Sequence, residues 1–174
     1  VGTNRCGSPS SGSGNGPRGA ADEEDFLRQQ AKIVGAINEM DADIVSLEEI
    51  ENSVALLGET DRDDALSALV DALNADAGTT RWAYAPSPAA ADLPAVEDQD
   101  VIRTAFIYDP STVTRVGPSR VLVGDANFDN AREPLAQAFK PVGSGNADVF
   151  AVIVNHLKSK STSGATGDNV DTGQ

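Results

Sequence analysis

The hydrophobic pattern changes character at Ala20. Beyond it, Phe26, Gln30, Ile33, Val34, Ile37 and Met40 recur at spacings of three and four, which predicts an amphipathic helix with one stripe facing a core. Asp22, Glu23, Glu24 and Asp25 open this segment, with their negative charge at the positive end of the helix dipole. Asp41-Ala42-Asp43 breaks the period, and the short apolar run 44–47 reads as a buried strand. A second amphipathic helix is predicted over 62–77 from Leu66, Leu69, Val70 and Leu73, with Gly78 as its C-cap. Strands are predicted at 82–85, 101–108, 113–116, 121–123, 135–139 and 149–155, and the Ala- and Pro-rich run 86–94 reads as a loop. Helices interleaved with short strands make this an α/β chain.

The ends contrast with this middle. Residues 1–19 hold six Gly, four Ser and two Pro without periodicity, the composition of a loop or disordered segment. The domain is expected to span 20–174, with 159–174 as an exposed polar loop or tail. Opening without Met or a signal-peptide pattern, the chain reads as a mature or trimmed segment, and a sheet followed only by polar residues reads as a partial domain.

Composition narrows the function classes. Of 174 residues, 27 are Asp or Glu and 13 are Lys or Arg, so the net charge is −14. Binding of nucleic acid through a bulk basic surface is excluded, and any handling of phosphates must be local, through a metal ion or a few placed cations. No apolar stretch is long enough for a membrane-spanning helix. The single cysteine, Cys6, rules out a self-contained disulfide framework; it is inert or pairs outside this chain.

Two segments carry candidate chemistry. In 43–52, Glu48, Glu49 and Glu51 follow a buried strand, and carboxylates at the carboxyl end of a strand suit a hard cation. On position alone, a cation site and a solvated acidic turn weigh about evenly. In 152–160 the only histidine, His156, ends an apolar strand beside Asn155 and ahead of Lys158 and Lys160. Such a group suits an anionic substrate, by charge stabilisation or proton transfer; taken alone, a strand-capping His with solvated lysines is the simpler reading. Arg132, before Pro134, could fork onto a phosphate or serve as an ion-pair partner, and Asp100 could orient a catalytic group. Gly167-Asp168-Asn169 lacks the second Asn of a phosphoesterase motif, and 12–16 resembles a phosphate loop only in glycine content.

Taken together and in order, Arg18-Gly19-Ala20, the helix 26–34, the block 41–52, 100–108, 132–139 and Asn155-His156-Leu157-Lys158-Ser159-Lys160 resemble the endonuclease/exonuclease/phosphatase superfamily. The resemblance is nearest to its branch of large secreted bacterial nucleases. It implies a deoxyribonuclease-I-like fold, a two-sheet β-sandwich flanked by helices, incomplete in this chain. It also implies a divalent metal, Mg²⁺ or Mn²⁺ with Ca²⁺ as a further candidate, held by Glu49, and a nucleic acid substrate whose scissile phosphate meets His156. Arg132, Asn155, Lys158 and Lys160 match substrate-side positions. The extracellular space or cell surface is the implied location. A phosphatase or phospholipid phosphodiesterase of the same fold, or a noncatalytic binding module, is the alternative. The family's metal-site Asn strand, its Gly-Asp-x-Asn strand and its Asp-His pair have no match in these residues, so the chain is expected to hold part of an active site and to turn over poorly alone.

Overall fold

A computed structural model describes residues 23–128 and 132–157. The Gly/Ser-rich segment with Cys6 and Arg18, the stretch 129–131, and the polar tail with Lys158, Lys160 and the 167–169 motif lie outside the described residues.

The first helix, α1, runs Glu23–Glu39, with Glu23, Glu24 and Asp25 in its first turn. Its apolar stripe is only partly used: Val34 and Ile37 are buried, whereas Phe26, Ile33 and Met40 are exposed. After Asp41, at φ 49, the strand β1 covers Ile44–Glu51. The acidic residues expected beyond the strand therefore lie within it. A short helix α2, Ser53–Leu57, escaped the periodicity reading because one turn is too short to show it. The second long helix, α3, is Asp64–Ala77, and Gly78 closes it with a left-handed φ of 65 and an N–H bonded to the Ala75 carbonyl.

The remaining elements are strands and three single 3₁₀ turns, Ala90–Asp92, Val96–Asp98 and Asn146–Asp148. The strands are β2 at Ala83–Tyr84, β3 at Ile102–Tyr108, β4 at Val113–Val121, β5 at Leu135–Pro141 and β6 at Phe150–Val154. The two short strands expected at 113–116 and 121–123 are one element. The ladder to β5 continues on both sides of Gly117-Pro118, with the register shifting between Val116 and Arg120. A residue without a donor and one with a φ of 71 interrupt the strand pattern without ending the strand.

These strands form two antiparallel three-stranded sheets, in the orders β1-β3-β2 and β4-β5-β6. On the first sheet the helices α1 and α3 pack through Val34, Ile37, Leu66, Val70 and Leu73 against Trp82, Ala105 and Ile107. Its other side meets the second sheet through Phe106, Leu135, Phe139 and Val154, with Phe106 and Phe139 edge-to-face at 6.2 Å. The strand β3 is covered on both faces, which explains its almost unbroken apolar sequence. The architecture is thus the α/β one expected, a two-sheet sandwich with helices on its outer side.

Candidate functional site

Antiparallel pairing brings five chain segments to one end of the sandwich. There β1, β4 and β6 finish, while β3 and β5 begin. Glu48 and Glu49 sit on this rim at a β-bulge. The register passes from Leu47↔Ala105 to Ile50↔Arg103, so the two glutamates stand opposite Thr104 alone. The bulge has a packing cause. Leu47 and Ile50 are three apart and would point to opposite faces of a regular strand, yet both pack against the helix-side core. The extra residue restores Ile50 to that face and turns both carboxylates to solvent. Glu49 takes the strained position, with a φ of 59.

His156 lies two residues beyond the end of β6 and its side chain is 12% exposed. Its Nε2 is 3.7 Å from Glu49 Oε1 and 4.0 Å from Glu48 Oε2. These separations exceed a hydrogen bond but leave the imidazole and both carboxylates facing one small volume. His156 Nδ1 is buried with no hydrogen-bond partner among the described residues. Two groups more than 100 positions apart in the chain thus meet. Asn155 is exposed beside them.

The donor set can be tested against the implied metal. Among the described residues there is no group of three or more His, Cys, Asp and Glu side chains that would enclose an ion. Two adjacent, solvent-facing carboxylates instead suit a hard cation that keeps several waters and takes the rest of its ligands from substrate phosphate, as Mg²⁺ does. Glu49 and Glu48 fit that role.

Arg132 is the next group along the rim. Its Nη2 pairs with Asp100 Oδ2 at 3.0 Å, so both residues singled out in the sequence are engaged with each other. The Asp100 backbone is held in turn by Asn52, whose buried side-chain amide donates to the Asp100 carbonyl at 2.9 Å and to Gln99 Oε1 at 3.0 Å.

A second ionic group escaped the sequence reading. Arg103 Nη2 donates to Asp63 Oδ1 at 2.7 Å in a buried pair. Asp63 also accepts from the Ser87 backbone and hydroxyl at 2.8 and 2.7 Å. Burial lowers the Arg103 pKa, opposed by the adjacent Asp63 carboxylate. The available signal was an arginine inside an otherwise apolar strand, because a buried charge requires a partner.

No family model and no curated protein matches the chain. Among solved structures it is similar to ANGEL2, a 2′,3′-cyclic phosphatase in complex with adenosine-2′,3′-vanadate. There the identity is 14% over 81% of this chain and 34% of that one, with a TM-score of 0.45. It is also similar to the human Nocturnin catalytic domain with bound sulfate, at 18% identity over 81% of this chain and 46% of that one, with a TM-score of 0.46. The chain spans less than half the length of either protein. A likeness of this degree assigns no chemistry to the chain.

Proposed function

We propose that this chain is part of a divalent-metal-dependent phosphodiesterase of the endonuclease/exonuclease/phosphatase superfamily, acting on nucleic acid. The observation that carries the reading is the meeting of bulge-held Glu49 with His156, 3.7 Å apart on a rim built by both sheets. The reading extends to a secreted nuclease of the bacterial branch, working outside the cell or at its surface.

In this account Glu49, with Glu48 beside it, holds Mg²⁺ or Mn²⁺. When bound, the ion neutralises local negative charge and polarises a phosphoryl oxygen. Hydrolysis of a phosphodiester adds a water oxygen to phosphorus, breaks one P–O ester bond and delivers a proton to the departing oxygen, while charge builds on the non-bridging oxygens. His156, largely shielded at the end of β6, is positioned to donate from Nε2 to one of those oxygens, an interaction that strengthens in the transition state. Arg132 and Asn155 bind the substrate on either side, and Lys158 and Lys160, outside the described residues, are assigned to its backbone. Local binding of this kind is required in a chain of net charge −14.

Nicking of supercoiled plasmid by the full-length protein tests the reading. Conversion to open circles should require Mg²⁺ or Mn²⁺ and stop with EDTA. His156→Ala should lower kcat on the order of 10²–10³-fold, and Glu49→Ala should abolish the response to metal. A folded protein that leaves plasmid intact while hydrolysing a phosphomonoester or a phospholipid would overturn the nucleic acid assignment.

A further inference from the structure

The rim continues past Arg132 into a cleft that the Glu49–His156 pair does not explain. Within the first sheet β2 pairs only with Tyr108 and Ile107, so the start of β3 is left without a strand on that side. The cleft opens here, between the first residues of β3, the end of β4 and the start of β5. Three arginines line it, Arg62 ahead of α3, Arg103 on β3 and Arg132 ahead of β5, together with the carboxylates of Asp100 and Glu133.

Their charges are unequally matched. Arg103 has Asp63 at 2.7 Å and Arg132 has Asp100 at 3.0 Å. Arg62 has only neutral partners: its Nε donates to Gln99 Oε1 at 3.3 Å and its Nη1 to Ser87 Oγ at 3.1 Å. The neighbouring Asp63 offers it no ion pair, because Asp63 Oδ1 serves Arg103 and the Ser87 hydroxyl while Oδ2 serves the Ser87 backbone. Burial, with the like charge of Arg103, lowers the Arg62 pKa to about 10 against the opposing pull of the Asp63 and Glu133 carboxylates. The Nε atoms of Arg103 and Arg132 are buried without a hydrogen-bond partner among the described residues. A partly buried guanidinium beside a second one, with Glu133 across the cleft but no carboxylate within ion-pair distance among the described residues, is a place for an anion. The planar fork of arginine matches phosphate.

Position then says which phosphate. Glu49 on β1 faces His156 after β6, while Phe106 of β3 stacks on Phe139 of β5, and Ser119 of β4 donates to the Pro86 carbonyl beyond β2. Along the rim Glu49 and His156 lie at β1 and β6, Asp100, Arg103 and Arg132 at the starts of β3 and β5, and Arg62 beyond them toward Ser87 after β2. We infer that the Arg62–Arg103–Arg132 cleft is a phosphate subsite, holding a non-scissile phosphate of a polynucleotide whose scissile phosphate lies at His156. The polynucleotide rests on the function proposed above; the phosphate site rests on the cleft itself. A phosphodiester bearing a single phosphate gains nothing from the subsite, so the cleft selects for a strand.

The test needs no turnover. In EDTA and low salt, binding of a labelled oligothymidine is followed by fluorescence polarisation, and the effect of inorganic pyrophosphate on Tm is measured in parallel. The variants are Arg62→Gln, which keeps a hydrogen-bond donor and loses the charge, Arg62→Lys, which keeps the charge and loses the fork, and Arg120→Gln, which removes an exposed arginine near the end of β4 that does not line the cleft. Arg62→Gln should weaken oligothymidine binding about five- to tenfold and reduce the salt slope by about 0.7. It should also abolish the Tm rise with pyrophosphate. Arg62→Lys should fall between, and Arg120→Gln should match wild type. Equal binding by Arg62→Gln and wild type, or equal losses in Arg62→Gln and Arg120→Gln, overturns the subsite. So does a wild-type protein that responds to neither probe. If pyrophosphate stabilises wild type but not Arg62→Gln while oligothymidine fails to bind, the phosphate site stands and the nucleic acid reading falls.

Discussion

Glu49 holds a backbone conformation that costs an L-residue energy. Its φ of 59 crowds Cβ against its own carbonyl, at about 1 kcal/mol or more. Glycine carries no such penalty, so Glu49→Gly should raise the free energy of urea unfolding by about 1 kcal/mol while losing cation binding, whereas Glu49→Ala should lose the cation without the gain. Equal stability in the two variants would remove strain from the explanation. Side chains at the rim differ in how far the sequence revealed them. Glu49 and His156 stand out as ionisable residues at the end of apolar runs. Position alone fits a solvated turn and a strand-capping His as well, and it is the family resemblance that singles them out. The bulge was not legible, since it follows from the need of Leu47 and Ile50 for the same face, and that need exists only once α1 and α3 cover the sheet. The Asp63–Arg103 pair was hidden for a similar reason: its members lie 40 positions apart and no local pattern joins them.

At the level of elements, the rim depends on how the sheets are held together. Phe139 of β5 is fully buried and touches Phe106 edge-on as well as Tyr108 at 5.5 Å and Phe150 at 6.3 Å, linking both sheets through one ring. Phe139→Ala should therefore cost about 3–5 kcal/mol in denaturant unfolding; a loss below about 1 kcal/mol would mean that the sheets do not pack through this ring. Strand β3 was easily read because burial on both faces leaves it apolar except at Arg103 and Thr104. Strand β4 was read as two because Gly117 and Pro118 are ordinarily breakers, and cross-strand pairing with β5 overrides them. The apolar stripe of α1 is wider than the surface it covers, since the sheet beneath it buries only Val34 and Ile37 among its residues.

For the molecule as a whole, charge and site pull in opposite directions. A chain of net charge −14 repels a polyanion except where cations are placed locally, and one rim brings Arg62, Arg103 and Arg132 together with His156, although Asp63 and Asp100 already pair with two of the arginines. The layered α/β architecture was legible from alternating helical and apolar strand periods. The gathering at one end was not, because it depends on five strand ends meeting after pairing. The chain contains one histidine, which makes it a spectroscopic reporter of the central assignment. Mn²⁺ titrated into isotopically labelled protein should broaden the His156 imidazole resonances at substoichiometric metal, and Glu49→Ala should leave them sharp under the same conditions. A His156 signal that stays sharp in wild type as Mn²⁺ binds, or one that broadens equally in Glu49→Ala, would contradict a cation held by Glu49 beside His156.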